Sequence, residues 1–219
     1  MESKPSTPNR THRRSLILLF PMIGIVLFLL LYLMATFSYP GGSFLAPDHH
    51  GFSFWHNYLC DLLDDYAING EVNTARYLAR GSLLALCVGL IVLWYRLPEL
   101  FSPKSTNQLV MQFSGLAALF TILFLTAGTH DITIRIAGVL GVVAFATCII
   151  ALFKAHYWRH YIFGVFCFFV FMANYYIYET GIHIDSLPII QKITFTLFLI
   201  WFLSLNLLLY RKTHNAKHI

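Results

Sequence analysis

The stretch SLILLFPMIGIVLFLLLYLMATFS, residues 15–38, holds no charged side chain, and its reading decides the fold. About 20 consecutive apolar residues are enough for a helix to cross the hydrocarbon of a bilayer, and this run is longer. Its side chains do not alternate in polarity, as a barrel strand would require. Every backbone group in hydrocarbon must find its partner within the segment, so the run reads as a helix. Arg13 and Arg14 precede it as in a secretory signal. Its apolar core exceeds the usual signal core and no small-residue cleavage site follows, so it reads as a retained anchor.

Five further apolar runs follow, at residues 76–96, 107–128, 132–153, 160–179 and 188–210. The composition agrees: 58% of the 219 residues are hydrophobic and 11% are charged, against about 25% charged in an ordinary soluble domain. So little charge cannot clothe a water-soluble globule. The expectation is an all-α, polytopic transmembrane bundle of six spans over residues 15–210. A basic tail, 1–14, and a short tail, 211–219, flank it, and residues 39–75 form one long outer loop.

Lys and Arg set the threading. Lys4, Arg10, Arg13, Arg14, Arg96, Lys104, Lys154, Arg159, Arg211, Lys212 and Lys217 fall on one side of the six-span arrangement. Only Arg76, Arg80, Arg135 and Lys192 fall on the other, together with most of the acids. Both termini are therefore expected in the cytoplasm of a bacterial cell, with the chain in its cytoplasmic membrane. The net charge of +5 is spread between apolar runs rather than gathered into a patch, which argues against nucleic acid as a partner. Trp94, Tyr95, Tyr157, Trp158 and Tyr210 are expected as an inner aromatic belt, and Tyr39, Trp55, Tyr77 and Tyr178 as an outer one.

Within the long loop, Phe54–Tyr66 reads as a short amphipathic helix. Asn57, Asp61, Asp64 and Asp65 share one face, with Trp55, Leu59, Leu62 and Leu63 on another. Asn73 or Thr74 is expected to cap the second span. Helices in lipid meet through small residues, which points to Gly81, Ala85 and Gly89 in span two and to Ala137, Gly138 and Gly141 in span four.

The outer side gathers carboxylates and imidazoles from three loops. Asn57, Tyr58, Asp61, Asp65, His130, Asp131, Asn174, Glu179 and His183 form the candidate polar site. If a divalent metal such as Zn²⁺ is held there, His56, His130, His183 and Asp61 are its candidate ligands; no cofactor is otherwise expected. No H-E-x-x-H, phosphate loop or nucleophile elbow occurs. The one H-x-x-x-H, His156 and His160, sits in an aromatic, basic stretch that reads as interfacial belt. Individual residues also have structural readings. Asp131 can pair with Arg135 one turn on, Asp185 or Ser186 can cap span six ahead of Pro188, and Lys192 needs a carboxylate or must snorkel outward. Asn174 and Glu179 are the polar groups placed deepest beside the bilayer. The four cysteines, three of them inside spans, show no ligand spacing and no disulfide framework.

Tyr39-Pro40-Gly41-Gly42, followed by FSFWHNYLCDLL at residues 52–63 and a new span, resembles small bacterial membrane proteins classed as a domain of unknown function. These are distantly similar to the Frag/DRAM/Sfk group. The resemblance covers about 30 residues. It implies a six-helix bundle with the first loop against its outer mouth, draws attention to Asn57, Tyr58 and Asp61, and implies no reaction. Leu62-Leu63 departs from a commoner Leu-Gly ending. The function expected is binding of a lipid head group or small ligand at the outer mouth without catalysis, with membrane lipids as partners. The alternatives are a metal-dependent lipid hydrolase and, less favoured, a small transporter.

Overall fold

The computed structural model describes residues 17–101, 105–124 and 130–215, apart from the side chains of His130, Asp131 and Asn215. The tail 1–14, with all four basic residues that precede the first span, and residues 216–219 lie outside that description. Among the described residues six α-helices follow one another: α1 (Leu19–Phe37), α2 (Arg76–Arg96), α3 (Thr106–Ile122), α4 (His130–Lys154), α5 (Trp158–Thr180) and α6 (Leu187–Asn215). Short 3₁₀ turns stand at Cys60–Leu63, Leu97–Leu100 and Ile184–Ser186. Among the described residues there is no strand, only two isolated bridges, Gly41 with His50 and Tyr66 with Val72.

Among the described residues five helical segments are long and apolar enough to cross a membrane: Leu19–Phe37, Arg76–Leu100, Ile132–Lys154, Trp158–Thr180 and Ile184–His214. α3 has 17 residues, and residues 125–128, the end of the expected third span, are outside the described residues. Apolar side chains cover the outside of the bundle: Phe20, Leu30 and Leu33 on α1 and Ile162 and Phe169 on α5 are all more than half exposed. A water-soluble protein keeps such contiguous apolar surface small. Here it runs the length of the helices.

Close helix approach depends on glycine at three crossings. On α1, a Cβ added to Gly24 would lie 2.7 Å from the Ala85 carbonyl oxygen and 3.0 Å from the Gly89 Cα. α1 and α2 therefore touch backbone to backbone. Gly115 of α3 lies against the Trp94 ring, and Gly164 of α5 against Ile149 and Trp201. Around Gly81, Gly138 and Gly141 an added Cβ meets nothing within 4 Å, while Ala137 is buried. The crossings are thus made by Gly24, Ala85, Gly89, Gly115 and Gly164, three of which the small-residue spacing did not single out.

Aromatic rings fill the centre. Phe145 packs tilted against Trp201 with centroids 4.8 Å apart, Phe198 and Phe202 join them, and Trp94 meets Phe202 edge-on at 5.8 Å. Trp94 is therefore core rather than inner belt: it is buried, and its indole N–H donates to the Met111 carbonyl at 2.7 Å. Trp201, fully buried, donates to the His160 carbonyl at 2.9 Å. A buried indole needs such a partner for its N–H.

Gly181 closes α5 with φ +69° and returns its N–H to Ile177, a left-handed cap that glycine adopts without strain. Between α4 and α5 the chain turns through His156, φ +60°, so His156 and His160 do not share one helix and cannot act as an i, i+4 metal pair there.

Candidate functional site

The long loop folds as a cap on one end of the bundle, the end formed by the C-terminus of α1 and the N-termini of α2 and α6. Its first turn needs glycine. Gly42, φ +83°, donates its N–H to the His49 carbonyl at 2.7 Å, and a Cβ there would stand 2.5 Å from the Asn69 nitrogen. Backbone packs on backbone at that point, and the cap is compact from its start.

The middle of the loop corrects the expected amphipathic helix. Residues 54–56 form a turn and Cys60–Leu63 a single 3₁₀ turn, with no α-helix between Phe54 and Tyr66. The reason is that side chains take the backbone groups a helix would use. Asn57 Oδ1 accepts from the Ser53 N–H at 2.8 Å, and its Nδ2 donates to the Gly42 carbonyl at 2.7 Å and to Asp61 Oδ2 at 2.8 Å. Asp61 Oδ2 also accepts the Tyr58 N–H at 2.9 Å. Asn57 and Asp61 are consequently buried inside the cap, whereas Asp65 is exposed. The four polar residues do not share one face.

Asn73 is the second fastener. It does not cap α2: its Oδ1 accepts the Ala75 N–H at 3.1 Å, ahead of the helix, while Nδ2 donates to the carbonyls of Asp61 and Asp64. Thr74 instead donates to the Ser38 carbonyl.

Three helices hold the cap down. From α1, the Tyr32 hydroxyl donates to the Leu59 carbonyl at 2.6 Å. From α2, Arg80 Nε donates to the Leu63 carbonyl at 2.9 Å and its Nη2 reaches Asp65 at 3.0 Å, beside Arg76. From α6, Gln191 Oε1 accepts the Leu59 N–H at 2.8 Å, and Lys192 Nζ donates to the carbonyls of Asn57 and Pro188. Lys192 neither snorkels nor finds a carboxylate in contact. It turns inward to carbonyl oxygens, with the Phe54 ring 5.2 Å and the Phe52 ring 5.9 Å from its ammonium. Asn57 thus joins opposite charges: its carbonyl accepts from Lys192 and its amide donates to Asp61.

Burial raises the Asp61 carboxyl above its ordinary value of 3.8, against the hydrogen bonds from Asn57 and Tyr58 and the field of Lys192, which pull the other way. Burial likewise pushes the Cys60 thiol and the Tyr39 hydroxyl up to about 12. For Asp61 the folded state favours the proton. The stability from that preference is fully present below the ordinary carboxylate range and is lost as pH rises through the raised value. Unfolding midpoints in detergent should therefore fall in the native protein as pH rises above the ordinary carboxylate range, and Asp61→Asn should flatten that decline. A variant that keeps the whole decline would assign it to another group.

Apart from Tyr58, whose N–H serves Asp61, the remaining candidates lie outside this network. Tyr58 is half-buried in the cap. His56 is exposed and its ring nitrogen pairs with Ser53 Oγ at 3.0 Å. Asn174 on α5 reaches Thr194 on α6 at 3.4 Å. Glu179 pairs with Arg135 at 3.4 Å, so Arg135 binds the end of α5. His183 is exposed with φ +58°, and its carbonyl accepts from Ser186 Oγ, so that hydroxyl serves the turn rather than a helix cap. The side chains of His130 and Asp131 are outside the description. Among the described residues no three His, Cys, Asp or Glu side chains gather where they could hold a metal. The four cysteines are free.

Comparison with protein-family models, curated proteins and solved structures finds no match to the chain. The geometry alone carries the functional argument. Gln191 and Tyr32 escaped the sequence reading, and Asn73 and Arg80 entered it only as a helix cap and a topology charge, because nothing in local spacing tells which loop backbone group each side chain reaches.

Proposed function

We propose that the chain is a six-span membrane protein with both termini on the cytoplasmic side, whose outer cap binds a polar ligand, a lipid head group before others, without chemical turnover. The observation that carries this reading is the rim of the cap. Phe44, Phe54, Trp55 and Tyr77 are each more than half exposed, while Ser43, Asn57, Asp61 and Asn73 are buried behind them. Aromatic rings at that level suit the boundary between acyl chains and head groups. The polar interior of the cap keeps the rim rigid, so ligand groups meet a preformed surface. Five long apolar helices support the bilayer setting. The resemblance to the membrane family related to Frag/DRAM/Sfk proteins is part of the same proposal.

The buried polar groups are occupied in holding the cap, which leaves exposed residues to meet a ligand: Trp55, Asp65 and Glu179. Purified protein in lipid nanodiscs should retain head-group-selective binding. Trp55→Ala and Asp65→Asn should weaken it by about tenfold or less, the range of single exposed contacts, and no product should accumulate. Turnover of a lipid, or about one equivalent of tightly held zinc per chain, would instead favour the hydrolase.

A further inference from the structure

At the opposite end of the bundle from the cap, a groove of about 440 Å³ opens between α1, α2 and α3. Its wall is apolar, formed by Ile17, Ile91, Val92, Leu116 and Phe120, and Tyr95 and Arg96 line it as well. Arg96 is the feature that apolar packing does not explain. Its side chain is only 12% exposed, and its Nε and Nη2 are buried without a hydrogen-bond partner. Those two nitrogens form the side-on fork of a guanidinium, the edge that matches two oxygens of a phosphate or carboxylate. The Glu99 carboxylate lies 2.9 Å from Nη2, yet it is off the line of the N–H and leaves the fork without a hydrogen bond. Glu99 stands on the Leu97–Leu100 turn with its side chain 45% exposed, so it is free to swing aside. Nearby, Lys212 Nζ donates to the Leu100 carbonyl at 2.8 Å, which adds positive charge beside that turn.

We propose that this groove binds an anionic phospholipid. One acyl chain lies along the apolar wall, and the phosphate takes the Arg96 fork in place of Glu99. A buried cation with an unfilled bidentate edge, next to an apolar channel, is complementary to a ligand with one anionic head and a hydrocarbon tail. A partner with no anionic group would leave the fork unsatisfied, which costs free energy in a buried site, and a zwitterionic choline head would bring its ammonium against the cations of Arg96 and Lys212. The proposal rests on the bilayer setting proposed above and concerns a site separate from the cap.

Native mass spectrometry of the full chain in detergent, titrated with phosphatidylglycerol or phosphatidylcholine, tests it. The expected result is preferential retention of phosphatidylglycerol, weakened about tenfold or more by Arg96→Met, the scale of a lost charge-assisted hydrogen bond. Leu116→Trp, which obstructs the wall without touching the guanidinium, should weaken it as well and serves if Arg96→Met fails to fold. Glu99→Gln should strengthen it, because the competing carboxylate loses its charge; a merely structural Arg96–Glu99 pair would give no such gain. Equal binding of the two lipids would overturn the proposal, as would retention unchanged in both Arg96→Met and Leu116→Trp. Loss of the phosphatidylglycerol on Trp55→Ala, with Arg96→Met unaffected, would move the lipid to the cap, overturning this site and leaving the cap reading intact.

Discussion

Asn57→Ala should loosen the whole cap, with a loss of about 3 kcal/mol or more as several buried groups lose their partner together. Asn57 is fully buried, and its amide serves the Ser53 N–H, the Gly42 carbonyl and the Asp61 carboxylate at once. Alanine restores none of these, and water has little access to a site with no exposed surface. The Asp61 carboxylate would suffer most, since it would keep only the Tyr58 N–H of its two bonds and stay desolvated. The Lys192 contact uses the Asn57 carbonyl and so survives in principle, which separates cap loosening from loss of the α6 anchor. Hydrogen exchange should show faster exchange at Asn57, Ala67 and Asn73, whose N–H groups are bonded within the loop, with the α4 core unchanged. Uniform protection in the variant would mean that the cap is held by its helix anchors alone.

Gly24→Val carries the second large effect. The side chain would enter a contact in which the nearest atoms are backbone, the Ala85 oxygen and the Gly89 Cα, and backbone cannot turn away as a rotamer can. α1 must then move off α2, at a cost of about 3 kcal/mol, the upper range for overpacked interiors. Gly81→Val on α2 is the internal control. It has open space around its Cβ position and should leave stability within about 0.5 kcal/mol, as surface changes do. Detergent unfolding of the two variants side by side checks the pair. Equal losses would show that the small-residue spacing, and not the crossing at Gly24, governs this interface.

The contrast between those glycines also shows where sequence reading stops. Helix type was legible, because long uncharged runs leave the backbone one way to satisfy itself in hydrocarbon; α2, for example, starts at Arg76 and ends at Arg96. Contact faces were not. Gly81 and Gly89 look alike in a four-residue pattern, yet only Gly89 meets α1, and the partner, Gly24, stands alone in its run with no pattern to mark it. Trp94 reads as interfacial from its place near a helix end, but Gly115 leaves room for its ring in the core. In the loop, the family resemblance draws attention to Asn57, Tyr58 and Asp61 but does not tell how they are used. The apolar–polar spacing suggested a helix, while the short polar side chains took the backbone groups for themselves. Lys192 reads as a charge needing a partner; that one partner is a carbonyl of a loop 135 positions away in sequence is a tertiary fact that no local spacing carries.

Membrane-impermeant thiol labelling decides the threading on which the functional reading depends. With the four native cysteines replaced, Glu71→Cys on the exposed tip of the cap, Ser6→Cys in the basic tail and Arg211→Cys at the end of α6 are labelled one at a time in intact cells. Label on Glu71→Cys alone, and on the other two only after the membrane is opened, is the result expected of six spans with an outer cap. Label reaching Glu71→Cys and Ser6→Cys from the same side would contradict it.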